Sequence, residues 1–400
     1  MATLKPFRAL RPNPADASLV AAVPYDVVST DEARVLAEGN PLSFLRVSRP
    51  EIELPAGADP YGAGVYQRAA ERFRDLRSTA FVLEDEPSVY VYRLRMGGHT
   101  QTGLAACFSI DEYDRDIIKK HERTRRDKED DRTRHMVALG AQTGPVFLTY
   151  RANADVDGIT AAATAAKPLY DFVAPDGVQQ TVWRVDGPDC DRLVSAFADI
   201  PALYIADGHH RAASAARART ELPGSDEAKT MLAVAFPHDQ VQILPYNRTV
   251  KDLGDLAPVE FLEAIRDRFE MEVGPAVPVK RGDIAMYFQG GWDIVRPRVA
   301  PDASNSISSL DVSVLQECLL APVLKIADIR TDKRIEFVGG ARGTAELERL
   351  VNSGKAAVAF SLYPVSVTDL MDVADAGEIM PPKSTWFEPK LRDGLLIHLL

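Results

Sequence analysis

Apolar and polar residues alternate along this chain in two periods, and the switches between them outline its elements. Over 66–76 the apolar positions Tyr66, Ala69, Ala70, Phe73 and Leu76 fall three and four apart, the spacing of one helical face, which predicts an amphipathic helix. Over 88–96 and 101–110 the pattern turns to strand character, and Gly97-Gly98 between them predicts a hairpin. The same signals predict a buried strand over 144–150, a helix over 159–166, a second hairpin from 170–173 and 181–185 around Pro175-Asp176-Gly177, and a helix over 190–198. Further on they predict strands over 230–236 and 240–244, a helix over 258–269, and a hairpin from 283–288 and 292–295 across Gly290-Gly291. A helix over 312–320, a strand over 356–362, a helix over 367–374 and a last strand over 394–400 complete the series. In the proline-rich stretch 1–60, Ser29-Thr30-Asp31-Glu32 opens a short helix to Leu36, with acids suited to its first turn. Strands and helices mix without strict alternation, so the expected fold is mixed α/β (α+β) and not a doubly wound sheet.

The run Leu203-Tyr204-Ile205-Ala206-Asp207-Gly208-His209-His210-Arg211-Ala212-Ala213 carries the strongest chemical signal. An apolar strand breaks at Asp-Gly, and an alanine-rich helix follows. A strand, a tight turn and a helix start together present free backbone N–H groups to an anion. His209, His210 and Arg211 add side-chain donors at the same place, with Arg211 expected at a helix start and outside the core. Asp-Gly is also an ordinary turn, and paired histidines can simply cap a helix. Four polar groups crowded among small neighbours favour a phosphate site.

Residues 111–135 are charged at nearly every position, including His121-Glu122-Arg123-Thr124-Arg125-Arg126-Asp127-Lys128-Glu129-Asp130-Asp131-Arg132. If helical, His121, Thr124, Lys128 and Arg132 share one stripe and suit a polyanion. The alternative is a solvated helix with ion pairs such as Glu122 with Arg126. A third cluster, Met380-Pro381-Pro382-Lys383-Ser384-Thr385-Trp386-Phe387-Glu388-Pro389-Lys390, places a cation and two hydroxyls after a rigid approach; beside a phosphate it is a good fit. Two smaller groups are Pro24-Tyr25-Asp26, a carboxylate after a rigid proline, and Tyr246-Asn247-Arg248-Thr249, after a strand end.

Composition narrows the classes. The chain has 400 residues, 26% of them charged, with a net charge of −11. That balance argues against broad nucleic-acid contact. No apolar run reaches the ~18 residues of a membrane span, and Met1-Ala2-Thr3-Leu4-Lys5-Pro6 has no signal-peptide core, so a cytoplasmic protein without membrane contact is expected. Cys107, Cys190 and Cys318 lie far apart in no metal-ligand spacing.

Taken in order, Pro24-Tyr25-Asp26-Val27-Val28, Asn40-Pro41 to Arg46, His121-Glu122 to Arg132, Asp207-Gly208-His209-His210-Arg211, Asn247-Arg248 and Pro382-Lys383-Ser384-Thr385 resemble the domain of unknown function 1015 family, which has no settled function. The Asp207–Arg211 motif also resembles the phosphate motif of the ParB/sulfiredoxin superfamily, which includes kinases that phosphorylate free L-serine with ADP or ATP. Sulfiredoxin chemistry needs a cysteine beside the motif, and here there is none. A ParB-type DNA-binding region is also missing from the pattern. The resemblance implies a ParB/sulfiredoxin-like nucleotide-binding core with added α/β elaborations. It further implies a nucleotide-binding region at 1–250, and an α/β region at 251–400 that brings the Lys383 loop to the site.

The first expectation is thus a nucleotide-dependent kinase for a small hydroxylated metabolite, serine or a relative. The second is a nucleotide- or phosphometabolite-binding regulator without turnover. Phosphate or nucleotide falls to Asp207, Gly208, His209, His210, Arg211, His121, Lys128, Arg132, Asn247, Arg248, Lys383, Ser384 and Thr385. Asp26 or Glu122 is the candidate base, with His210 a further catalytic candidate. Asp207 is expected to hold Mg²⁺, and the nucleotide to be ATP or ADP, with CTP admitted. The partner is a small-molecule substrate, and a homodimer is compatible with this reading.

Overall fold

The computed structural model describes residues 1–55, 59–302 and 305–400. The fold is mixed α/β, as expected, in two compact units: Met1–Val241 with Pro389–Leu400, and Gln242–Glu388. The expected boundary at 250/251 therefore falls inside the second unit, directly after its strand Tyr246–Val250, and residues 389–400 belong to the first unit.

In the first unit, nine strands among the described residues form one sheet. Its spatial order is Ile118–Lys119, Leu203–Asp207, Val146–Tyr150, Thr230–Pro237, His99–Ser109, Val89–Met96, Gln179–Val185 and Tyr170–Val173, with Leu4–Lys5 paired to His99–Ser109. Two pairings are parallel, Leu203–Asp207 with Ile118–Lys119 and Thr230–Pro237 with Val146–Tyr150; the others are antiparallel. The hairpin across Gly97-Gly98 forms as its glycines predict, with Met96 opposite His99. Leu104, Phe108, Leu148, Ile205 and Ala233 from the sheet pack with Leu193, Phe197 and Ala212 from helices. A second apolar cluster joins Phe44, Leu45 and Val47 to Phe73, Leu76, Leu139 and Ile397. The short helix Thr30–Leu36 begins with a full capping box between Ser29 and Glu32.

The charged stretch behaves differently from both of its sequence readings. The helix is Arg126–Leu139, so His121 and Thr124 precede it and the stripe His121, Thr124, Lys128, Arg132 does not form. The helix packs through polar contacts in place of an apolar stripe. Tyr66 Oη donates to Asp131 at 2.9 Å, the His135 ring meets the Val47 carbonyl at 2.8 Å, and Arg217 pairs with Glu129 and Asp130. Met136 and Leu139 supply its apolar anchorage at the C-terminal end.

The second unit has an antiparallel sheet in the order Phe269–Val273, Gly291–Pro297, Ile284–Phe288, Val358–Leu362, Tyr246–Val250 and Ile335–Gly339. A two-stranded ribbon, Gln242–Leu244 with Trp386–Glu388, lies outside it. The helix Gly343–Asn352, with Leu347 buried against Tyr287, Val338 and Ala359, was not among the expected elements. The expected final strand shrinks to His398–Leu399. No helix among the described residues is long and apolar enough to cross a membrane.

Candidate functional site

The strand-turn-helix reading of 203–213 is what the structure has. Leu203–Asp207 is a strand, Gly208 turns at φ +92°, and His209–Glu221 is a helix. Glycine is needed at this turn twice over. The left-handed backbone disfavours a side chain, and a Cβ there would stand 3.1 Å from the Arg211 Nε. The strand is also irregular at the turn, with a register shift between Ile205 and Asp207.

Around this turn charged groups crowd together within the first unit. Asp207 is held by Lys390 at 3.2 Å and by Arg211 at 3.6 Å. Burial works to raise the Asp207 carboxyl, but Lys390 and Arg211 outweigh it and hold the group well below the usual carboxylate range. Arg211 lies within the core, 7% exposed, which corrects the expectation that its charge stands outside it. Its Nη1 donates to the Pro145 carbonyl, and its Nε has no partner among the described residues. Burial opposes its charge; Asp26, Asp207 and Asp393 restore it and raise the guanidinium above its ordinary value.

Arg211 and Asp393 face a small cavity of about 40 Å³. Tyr25, Ser48, Arg132 and Gln142 also line it. Asp393 is 3% exposed, accepts a hydrogen bond from the Tyr25 backbone and leaves Oδ1 without a partner among the described residues. Burial pushes its carboxyl up to about 7, against the pull of Arg211 and with the help of Asp26. The fit is close: a Cβ on Gly144 would fall 2.4 Å from Asp393 Oδ1. Arg132 stacks 4.2 Å from the Tyr25 ring centroid and donates to Asp131 at 2.8 Å. Asp26 is exposed and acts electrostatically on Tyr25, Arg211 and Asp393. The cavity thus has two guanidinium groups on its wall, a neutral-leaning buried carboxyl and an exposed carboxylate nearby.

The histidines make a second arrangement. His121 and His209 are buried, with ring centroids 4.5 Å apart and planes at 86°. The His121 backbone N–H points at His209 Nε2 at 3.5 Å. Burial lowers the His121 imidazole to about 4, and burial together with His121 lowers His209 well below its ordinary value, so both rings are neutral at pH 7. Half-buried Glu122 lies beside them, and the three side chains offer donor atoms that lie within 4.8 Å of one another. His210 accepts the Arg125 backbone N–H at 3.0 Å, and Lys128 donates to the Tyr61 hydroxyl at 2.8 Å.

The remaining expected residues lie in the second unit, where they form their own cluster. Arg248 is fully buried and donates to the Tyr246 and Lys383 carbonyls, the latter at 3.0 Å. Burial lowers its guanidinium to about 10. Asn247 accepts the Leu362 backbone N–H at 3.2 Å, and Ser384 Oγ donates to the Pro381 carbonyl at 2.6 Å. Lys383 sits at φ +61° with its ammonium 5.5 Å from the Tyr246 ring centroid. Thr385 follows it, half-buried.

Lys390 closes the third cluster but received no role in the sequence reading, and Asp393, just before the expected terminal strand 394–400, escaped it. The one signal was a second Asp-Gly pair, Asp393-Gly394, after two basic residues. Asp393 reaches the site because its backbone pairs with Ala22 in both directions, and Gly394 donates to the Thr143 carbonyl at 3.0 Å.

Comparison with known proteins now has a geometry to refer to. The family model described as protein of unknown function, DUF1015, matches residues 4–313. This chain belongs to the DUF1015 family. No curated protein matches it. Among solved structures, a free serine kinase in complex with AMP is similar with a TM-score of 0.37 and 15% identity, over 72% of this chain and 91% of that one. A conserved hypothetical protein from Pyrococcus furiosus has a TM-score of 0.38 and 15% identity, over 74% and 95%. SbnI with a C-terminal truncation, from Staphylococcus aureus, has a TM-score of 0.39 and 13% identity, over 72% and 85%. The DUF1015 match covers the Asp207 turn, Asp26 and His121, and stops short of Lys383, Lys390 and Asp393.

Proposed function

We propose that this DUF1015 protein is a nucleotide-dependent phosphotransferase acting on a small hydroxylated metabolite, serine or a relative, with ATP or ADP as donor. One observation carries the reading. The turn that offers helix-start N–H groups adjoins a polar cavity in which Arg211 Nε and Asp393 Oδ1 are both buried without partners. Unpaired buried polar atoms are costly, and a ligand that pairs with both removes that cost.

Phosphate belongs at the Asp207–Arg211 turn, where the guanidinium of Arg211 offsets charge that develops on the transferring group. The acceptor presents its hydroxyl to the cavity, whose volume of about 40 Å³ admits that group and not the whole metabolite. Its hydroxyl oxygen forms the new bond to the terminal phosphorus of the nucleotide, the bond from that phosphorus to the bridging oxygen breaks, and the shortened nucleotide leaves. The hydroxyl proton goes to a carboxylate. Asp393, with its carboxyl near 7, is tuned for that role, since a base works best when its pKa lies near the operating pH. Asp26, exposed beside it, is the second candidate. Glu122 and His210 do not line the cavity.

Magnesium does not fit directly on Asp207, because Lys390 and Arg211 already share that carboxylate. A hard ion with oxygen ligands would have to displace both cations.

The test is incubation of the protein with ATP, ADP or CTP, magnesium and a metabolite pool, followed by mass spectrometry for a new phosphorylated species. A phosphorylated hydroxy compound that depends on Arg211 supports the proposal. Nucleotide binding without transfer to any acceptor replaces it with a binding regulator.

A further inference from the structure

We infer that His121, Glu122 and His209 form a binding site for one divalent transition-metal ion of the zinc, cobalt or manganese type. The inference is independent of the phosphotransferase reading, since it needs neither nucleotide nor acceptor. Three features of the donor set carry it.

The first is composition and spacing. Two imidazole nitrogens and one carboxylate oxygen lie within 4.8 Å of one another, drawn from two segments about 87 residues apart. Metal–donor bonds of roughly 2 Å require a tighter triangle. Closing it requires the half-buried Glu122 side chain, on the loop before the helix Arg126–Leu139, to move toward the two rings. Imidazole with carboxylate suits zinc, cobalt, nickel or manganese, whereas magnesium and calcium select all-oxygen sites.

The second is tautomer. His121 donates one ring N–H to the Ile205 backbone carbonyl, which leaves the lone pair on the other nitrogen. Metal-binding histidines are oriented in this way, by a carbonyl or carboxylate behind the ring. The carbonyl belongs to the strand Leu203–Asp207, at the register shift beside the Gly208 turn.

The third is burial. Both rings are packed edge to face, at 2% and 6% exposure, so each is fixed in orientation before any ion arrives. Their one mutual hydrogen bond, from the His121 backbone N–H, is long at 3.5 Å and gives little by itself. Three protein donors leave at least one coordination position open, as in metal sites that bind a substrate oxygen. His209 is the first residue of the helix that follows the phosphate turn, so an anion seated there lies next to the open position.

The experiment uses untagged full-length protein, stripped with a chelator and dialysed. Zinc chloride is titrated in, followed by calorimetry and by melting temperature, and cobalt(II) is added separately as a visible-spectrum probe. The expected result is one zinc per chain, a raised melting temperature, and cobalt bands in the visible that zinc abolishes. Glu122→Gln should bind zinc at least 10–100-fold more weakly, about the range that loss of even an outer-sphere partner costs, while the metal-free protein melts as wild type. His121→Asn should abolish the cobalt bands; if it does not fold, Glu122→Gln carries the test alone. A wild type that takes up no stoichiometric zinc overturns the inference, and so does a Glu122→Gln variant that binds zinc as tightly as wild type. Zinc uptake without phosphate transfer keeps this site and removes the phosphotransferase. Transfer with magnesium alone, in protein that takes up no zinc, does the reverse.

Discussion

Two buried arginines, one in each unit, look alike in the sequence and do different work in the structure. Arg211 and Arg248 both read as parts of polar motifs after a strand end; Arg211 does follow one, in the first turn of the helix His209–Glu221, whereas Arg248 lies in the middle of the strand Tyr246–Val250, and both are more than nine-tenths buried. Arg248 spends its donors on backbone carbonyls and, among the described residues, has no carboxylate acting on it; burial accordingly lowers its guanidinium. Arg211 is ringed by Asp26, Asp207 and Asp393, and still has Nε unpaired. The first arrangement closes a loop onto a strand. The second holds charge ready for something that is not part of the chain. A buried polar cluster signals function when its atoms remain unsatisfied, and signals architecture when the backbone has consumed them.

The sharpest way to test this contrast is at the carboxylates. If Asp393 takes the acceptor proton, Asp393→Asn should lower turnover by about 10²–10⁴-fold with little change in nucleotide affinity. Asp26→Asn, measured in the same transfer assay, decides between the two carboxylates. Full turnover in both variants would falsify the assignment of a base to this cavity.

The arginines themselves come next. Arg211→Ala removes the buried cation that faces Asp393 and leaves Asp207 with Lys390 alone; it should cost about 3–5 kcal/mol of stability, seen as a lower denaturant midpoint. Arg211→Lys keeps the charge and so permits a binding measurement. It should weaken nucleotide binding, whereas Arg248→Lys should leave it within error in isothermal titration. Equal losses in the two lysine variants break the comparison.

A pH series gives a third test. The Asp393 carboxyl is raised from the ordinary range near 4 to about 7, facing Arg211, Arg132, Asp26 and the Tyr25 backbone N–H. Its protonated form therefore stabilises the fold fully below pH 4, and that contribution is lost as pH rises through 7. About three pH units correspond to at most ~4 kcal/mol. The histidines work in the opposite sense, because burial keeps them neutral and they lose stability as pH falls. The difference between wild type and Asp393→Asn isolates the carboxyl. The variant should melt higher than wild type at pH 8 and draw level with it toward pH 4; a constant difference across that range contradicts the shift.

The smallest effect belongs to the second unit. Ser384→Ala removes one hydrogen bond to the Pro381 carbonyl and should cost about 1 kcal/mol, with no change in nucleotide binding. A binding loss there, without a stability loss, returns the Lys383 loop to the phosphate site.

What could be read before the structure divides along physical lines. Local signals worked well. The glycine pairs placed two hairpins, Ser29 and Glu32 placed a helix start, and Asp207-Gly208 placed the turn, because each depends on a few adjacent residues. The His121 stretch was misread because its helix gets its hold from Tyr66, Val47 and Arg217, residues that no periodicity within 111–135 can reveal. The helix Gly343–Asn352 was overlooked although Leu347, Leu350 and Val351 stand three and four apart on its packed face, a helical period the sequence does carry. Asp393 was hidden by distance. Its role depends on a pairing with Ala22, some 370 residues away, and beside it only the Asp393-Gly394 pair hints at a site.

That pairing bears on how the molecule is made. Lys390 and Asp393 are translated after the whole of Gln242–Glu388, yet they complete a unit whose other residues left the ribosome long before. A nascent chain stalled anywhere before Pro389 would carry Asp207 without its lysine and Arg211 without one of its acids. The charges around the Asp207 turn are therefore completed only after Gln242–Glu388 has been made; until then the growing polypeptide lacks Lys390 and Asp393 from their pattern.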